Sequence, residues 1–169
     1  MTEIYILDEQ NYIIETKNVK DNVIGKNYFD FSYDEILIKI LKNMFSKVRA
    51  NKKIFSTTYR CDNDDYIRYF ELNIIPLNNG QIKLEHILTK QTKREKSLKD
   101  FTQSSKLYKM CAWCNKILVN DKFIEIEHAI NNLKIFDEEG IPNFTHGLCE
   151  SCKRQLEDEI NLYESSKQV

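Results

Sequence analysis

Four of the 5 cysteines fall in two Cys-x-x-Cys pairs, Cys111–Cys114 and Cys149–Cys152. A two-residue gap lets a tight turn aim both thiolates at one ion, and two such knuckles complete a tetrahedron with sulfurs about 2.3 Å from the metal. Zinc suits that donor set, because it brings no geometric preference of its own. The spacer of 34 residues, 115–148, is longer than a compact ribbon allows, so a small subdomain is expected to fold between the knuckles. The second pair is expected to open a helix, whose N-terminal amides stabilise thiolate. His146, three residues before Cys149, is a fifth candidate ligand. Four thiolates already close a structural shell, so His146 is expected to order the knuckle from outside it or to pack against Trp113. A closed shell also leaves no position for substrate or water, so no catalytic residue is expected and the chain does not read as an enzyme. Cys61 reads as a half-buried strand residue acting as a small hydrophobe. His86 and His128 read as ordinary polar positions.

Composition narrows the setting of this chemistry. The chain of 169 residues carries 25 basic and 26 acidic side chains, for a net charge of -1. Near-neutrality argues against the broad basic surface that nucleic-acid binding requires. The N-terminus is acidic at Glu3, Asp8 and Glu9 and has no basic start followed by an apolar run, so no signal peptide is read. No stretch approaches the roughly 18 apolar residues that span a bilayer. A cytoplasmic location is expected, where thiols stay reduced and paired Cys-x-x-Cys motifs favour metal over disulfide.

The elements that must position the cysteines follow from periodicity. Ile4–Leu7 and Tyr12–Glu15 read as two strands around the turn Asp8–Asn11. A loop with Gly25 leads to the aromatic cluster Tyr28, Phe29, Phe31 and Tyr33, read as core with the option of lining a cavity. Ser32 with Glu35 has the form of a capping box. Behind it Ile36, Leu37, Ile40, Leu41, Met44, Phe45 and Val48 recur at helical spacing, giving an amphipathic helix of about four turns. From residue 54 the period becomes two: a strand at Phe55–Cys61, a long strand at Tyr66–Leu77, the hairpin signal Asn78-Asn79-Gly80, and a strand at Ile82–Leu88. The expected fold is α+β, a five-stranded antiparallel sheet with one covering helix.

Residues 89–106 change character, with Lys90, Lys93, Arg94, Glu95, Lys96, Lys99 and Lys106. They are expected to form a solvated helical connector. Leu98, Phe101 and Tyr108 offer a short seam through which two copies of the helix could pair as a homodimer. The cysteine module follows, with a strand-like piece at Phe123–Ile126, a short helix near Glu127–Leu133, and a closing helix marked by Leu156, Ile160 and Tyr163. The organisation expected is therefore a sheet domain at 1–89, a helical connector at 90–107, and a four-cysteine module with a C-terminal helix at 108–169. With a thin core of its own, that module is expected to draw folding energy from its metal.

The order of two strands, helix and three-stranded meander resembles a PAS sensor domain, with Asp8–Ile14 resembling its first hairpin. Tyr59-Arg60-Cys61-Asp62 and the strand Arg68–Leu77, ending in Pro76-Leu77, resemble a family of bacterial PAS-like sensor proteins. So do Met110–Lys116, Leu133–Phe136 and Ile141–Cys152, which holds the run His146-Gly147-Leu148-Cys149-Glu150-Ser151-Cys152. Where that family often has Trp after the first knuckle, this chain has Phe123. The resemblance implies a cytoplasmic sensory or regulatory protein with a structural zinc site, and its pocket ligand is unknown. Nothing after Cys152 reads as an output domain, so a protein signalling partner is expected and no membrane or nucleic acid. Two alternatives stay open: a thiol redox switch using the two Cys-x-x-Cys pairs, and a zinc-ribbon-like nucleic-acid-binding regulator using Lys106, Lys109, Lys116, Lys153 and Arg154.

Overall fold

The computed structural model of the chain describes residues 2–31, 34–95, 97–98, 103–133 and 140–165, and the side chains of 104–130 within the fourth of these spans. Ser32, Tyr33, Lys96, Lys99, Phe101 and residues 134–136 lie outside the described residues.

Strands β1 (Thr2–Leu7) and β2 (Ile13–Lys17) form the first hairpin. Asp8 closes its turn by accepting hydrogen bonds from the Gln10 and Tyr12 amides at 3.0 and 2.8 Å, while Asn11 takes a left-handed conformation that Asn tolerates. A single 3-10 turn at Tyr28–Asp30 then buries Tyr28. Helix α1 (Glu35–Asn51) begins at Asp34, whose carboxylate accepts from the Ile36 and Leu37 amides. The cap is thus Asp34, one residue before Glu35, where a capping box at Ser32 was expected. Leu37, Ile40, Leu41, Met44, Phe45 and Val48 face the core, and only Ile36 of the expected apolar stripe is exposed. Arg49 fastens the last turn of α1 to both hairpin tips through the Gly80 and Asp8 carbonyls, at 2.7 and 2.8 Å.

Strands β3 (Phe55–Arg60), β4 (Tyr66–Pro76) and β5 (Ile82–Lys93) complete an antiparallel sheet of order β2-β1-β5-β4-β3. Asn79 and Gly80 both have positive φ, as the tight β4–β5 turn requires. Registers Phe55↔Ile74↔Leu84↔Tyr5 and Thr57↔Leu72↔His86↔Glu3 run across the sheet, and their buried members face α1.

The expected helical connector is extended at both ends. Lys90–Lys93 continue β5, paired with Tyr66–Tyr69, and residues 103–107 open strand β6 (Gln103–Cys111). The boundaries expected at 89/90 and 107/108 therefore fall inside strands. Leu98 and Tyr108, read as a seam for a second copy, instead pack within the chain against the small core of Ile117, Ile126 and Ala129. Both are half-buried in that packing.

Strand β6 runs antiparallel to β7 (Ile117–Val119), which pairs with β8 (Lys122–Ile124) through a turn with Asn120 and Asp121 both at positive φ. On its other side β6 runs parallel to β9 (Ile141–Gly147), the crossover between them containing helix α2 (Ile126–Leu133). Helix α3 (Glu150–Ser165) buries Cys152, Leu156 and Ile160. It crosses back onto the first sheet: Tyr163 donates to the Lys53 carbonyl at 2.8 Å and meets the Phe55 ring edge-on at 5.4 Å, and Lys47 of α1 pairs with Glu164. Cys111, Trp113, Cys149, Cys152, Leu156 and Ile160 consequently belong to the same apolar core as the residues beneath α1.

A main core that takes in residues of both halves predicts one cooperative transition. Leu156→Ala, at a fully buried site in α3, should lower stability by about 2–5 kcal/mol. Thermal unfolding followed by far-UV circular dichroism and by Trp113 fluorescence should give the same midpoint, shifted together in the variant. Two separated transitions would show that the halves fold independently.

Candidate metal centre and adjoining cavity

The sulfur cluster is assembled from three strand and helix ends. Cys111 is the last residue of β6, and the turn 112–114 carries Cys114 back beside it. The Cys111 amide donates to the Lys116 carbonyl at 2.8 Å and the Asn115 amide to the Cys111 carbonyl at 2.9 Å, with Asn115 at φ 60°. Beside it, the Ala112 amide donates to the Gly147 carbonyl at 2.8 Å, so the parallel β6–β9 pair delivers the second knuckle alongside the first. Cys149 caps α3, since the Lys153 amide donates to its carbonyl at 3.0 Å, and Cys152 sits in the first turn of that helix. This is the helix opening read from the spacing.

The four sulfurs lie within 4.8 Å of one another, with Cys111, Cys149 and Cys152 buried and Cys114 half-buried. Cys114 Sγ and Cys149 Sγ are 3.8 Å apart. A tetrahedral thiolate site with metal–sulfur bonds of about 2.3 Å spaces its sulfurs about 3.8 Å apart, so the donor set fits a single bound ion. Hydrogen bonds from the Cys114 and Cys152 side chains and from the Cys149 amide, at 3.4 Å, favour the Cys111 thiolate and push its pKa far down, against its burial. Donating to Cys111 in turn pushes Cys114 up to about 12 and Cys152 higher still. Four thiolates this close repel one another strongly, and a dication is the natural means of holding them together. His146 is exposed on β9 and is not part of the cluster, and Cys61 lies outside it, exposed just beyond β3 rather than half-buried within a strand.

The first knuckle rests on the end of the five-stranded sheet. The Arg60 amide of β3 donates to the Trp113 carbonyl at 2.8 Å, and the Trp113 ring lies 5.4 Å from that of Tyr59. Beside this contact is a cluster of buried charge that composition alone does not show. Asp62 accepts from Arg60 Nε at 2.9 Å and from Arg94 at 2.6 Å, and Glu127 of α2 pairs with Arg60 and, at 3.8 Å, with Arg94. The two arginine side chains are only 5% and 6% exposed and that of Asp62 only 8%. Burial opposes the Arg60 charge, but the hydrogen bonds to Asp62 and Glu127 more than offset it and raise its pKa above the ordinary arginine value.

Between the sheet, α1 and the knuckle lies a cavity of about 600 Å³. The sheet supplies Tyr5, Tyr59, Leu72 and His86; Tyr28, Phe31, Leu37 and Leu41 close the α1 side; Met110, Ala112, Trp113, Asn115 and His146 close the knuckle end. The aromatic cluster read as core with a cavity option therefore does both, with Tyr28 buried and Phe31 on the wall. His86 was read as an ordinary polar position, yet it is 8% exposed, on the sheet's inner face. Its Nδ1 is 2.8 Å from the Tyr59 hydroxyl, and burial lowers its pKa to about 4, so the ring is neutral near pH 7. The usable signal was its phase: His86 alternates in step with Ile82 and Leu84, both fully buried. Among the described residues, no helix is long and apolar enough to cross a membrane.

Comparison with known proteins adds no family. No protein-family model matches the chain, and no curated protein matches it.

The charge cluster yields a direct test. Asp62→Ala removes the carboxylate shared by Arg60 and Arg94 and leaves the two buried cations only the more exposed Glu127 and, for Arg60, Glu125 at 3.7 Å, which should cost about 3–5 kcal/mol. Urea denaturation checks the size of the loss, and a change below 1 kcal/mol would show that the cluster holds nothing together.

Proposed function

We propose that the chain is a sensory or regulatory protein, a PAS-like sheet domain joined to a structural zinc site, that acts through a protein partner. The observation that carries this reading is the 600 Å³ cavity lying between the inner face of the sheet and α1, with one end built from the metal knuckle. An input cavity and a rigid metal-held element in direct contact form the minimum that a signal relay requires. The PAS-like assignment is supported by the order β2-β1-β5-β4-β3, in which the first hairpin joins the meander through β1 and β5, with α1 between them in the chain. The zinc assignment is supported by four cysteine sulfurs within 4.8 Å, a donor set of soft thiolates that suits zinc and closes its coordination shell. Once bound, zinc would hold Cys111, Cys114, Cys149 and Cys152 as thiolates and lock the ends of β6 and β9 to α3. Transmission from the cavity then passes through the shared wall at Trp113 instead of along a connector helix.

Two measurements test these readings. Elemental analysis of the purified protein should give one zinc per chain. Because the cysteines share the core beneath α1, chelation or Cys149→Ser should lower the melting temperature of the whole chain; retained metal and unchanged melting would overturn the zinc reading. The signalling reading is tested by isolating the tagged protein after crosslinking in its own cells. A kinase, cyclase or transcription component should co-purify with the wild type and be lost with Cys149→Ser, and recovery of no such component would overturn it.

A further inference from the structure

Access to the four sulfurs is uneven. Cys111, Cys149 and Cys152 are 0%, 3% and 6% exposed, whereas Cys114 is only half-buried. A cleft of about 210 Å³ reaches the cluster on the side away from α1, with Cys114 and Cys152 in its wall and no residue of α1 among its lining. Tyr69, Glu125 and Gln155, which also line it, are exposed, so the cleft opens to solvent.

With an ion bound, all four sulfurs are thiolates. Thiolate character then does not distinguish them, and access decides which reacts first. Cys114 is the sulfur that a reagent in the cleft meets. The cleft also limits what that reagent can be. Its volume of about 210 Å³ falls below the roughly 300 Å³ at which drug-sized ligand sites begin. Four thiolates around one dication leave the site anionic, and the cations beside the cleft are engaged, Arg60 by Asp62 and Glu127 and Lys116 by Glu125. A small neutral reagent is therefore favoured over a large or anionic one. Behind Cys114, on the other knuckle, Cys149 Sγ stands 3.8 Å away and is itself shielded from the solvent.

We propose that the metal centre is a reversible latch opened by hydrogen peroxide, in which Cys114 is oxidised through the cleft, Cys149 closes a disulfide onto it, and the ion is released. The latch rests on the metal reading above. The Cys114 thiolate attacks one peroxide oxygen: an S–O bond forms, the O–O bond breaks, and hydroxide leaves and takes up a proton to become water. The sulfenic acid left on Cys114 is neutral and is no longer a thiolate donor. The Cys149 thiolate then attacks the Cys114 sulfur: an S–S bond forms, the S–O bond breaks, and a second hydroxide leaves as water. Two sulfurs have given two electrons to one peroxide, and the metal keeps its oxidation state. Cys111 and Cys152 alone supply half of a closed shell, so the ion departs. The disulfide keeps one tie between the knuckles, but the first turn of α3 loses its anchor at Cys152. Because Leu156 and Ile160 of that helix belong to the main core, oxidation loosens the whole chain.

The full chain, loaded with zinc, is treated with hydrogen peroxide while a chromogenic chelator reports released zinc, and the remaining thiols are alkylated for disulfide mapping by mass spectrometry. Zinc release should accompany a Cys114–Cys149 disulfide and a lower melting temperature, and dithiothreitol with added zinc should reverse all three. Oxidised glutathione, which is larger and anionic, should release zinc at least about tenfold more slowly. Gln155→Trp, which narrows the cleft without touching a ligand, should slow release by peroxide about threefold and leave zinc affinity unchanged. Cys61→Ser should release zinc at the wild-type rate, since Cys61 lies outside the cluster. Zinc retained under peroxide, a disulfide that omits Cys114 or Cys149, or irreversible sulfinic acid at Cys114 in place of the disulfide overturns the latch. Equal rates for peroxide and oxidised glutathione, or for wild type and Gln155→Trp, overturn the route through the cleft. A chain that takes up no zinc overturns the metal reading and the latch with it.

Discussion

Four sulfurs held within 4.8 Å draw the end of β6, the turn after it, the loop after β9 and the first turn of α3 to one point. Each of those segments leaves that point in a direction set by its own hydrogen bonds, and the arrangement of the C-terminal half follows. Helix α3 is launched across α1 and the edge strand β3, where Leu156 and Ile160 complete a core begun by Leu37, Phe45 and Ile74. The turn between the first two cysteines presses Trp113 onto Tyr59 and closes one end of the cavity. An ion bound at the four sulfurs would fix α3 at its first turn and leave the helix one exit direction.

A second fixing point is electrostatic. Arg60, Asp62, Arg94 and Glu127 come from β3, the loop after it, the end of β5 and α2. Burying such groups costs several kcal/mol per ion, and the cost is met only because each charge faces partners of opposite sign in hydrogen-bonding geometry. A cluster of this kind adds less stability than an apolar core of equal volume, but its directional bonds admit one arrangement. It therefore sets where α2 and the first knuckle sit relative to the sheet, while the core beneath α1 supplies the bulk of the folding energy.

The cavity is the place where this construction gives up stability. Packed sheet–helix interfaces leave few voids, yet here a cavity of about 600 Å³ opens between the sheet, α1 and the knuckle, lined largely by aromatic rings. The inner face of the sheet also buries the Thr57 hydroxyl without a partner. Local departures of this kind, set in a fold whose caps, turns and core otherwise agree, are where binding function concentrates.

The sequence by itself determined the features that depend on neighbours along the chain. Cys-x-x-Cys spacing is a property of one tight turn, so all four sulfur donors were legible. Helix α1, helix α3 and the antiparallel strands declared themselves through periods of 3.6 and 2, and Asn79-Gly80 through the positive-φ turn that such a pair favours. The residues that only tertiary structure could place are those whose partners are far away in sequence. Strand β6 reads as a charged connector because its parallel partner β9 begins at Ile141, beyond α2. Arg94 reads as solvated surface because the carboxylates that bury it are Asp62 and Glu127. His86 reads as an ordinary polar position unless its alternation with Ile82 and Leu84 is given more weight than its chemistry, and its Tyr59 partner lies 27 residues back. Cap choice divides the same way: Ser32 and Asp34 are both acceptable cap residues by type, and α1 begins at Asp34. Local geometry is written in residue type and spacing; parallel pairing, buried charge and the walls of a cavity are decided by which distant segments the core brings together.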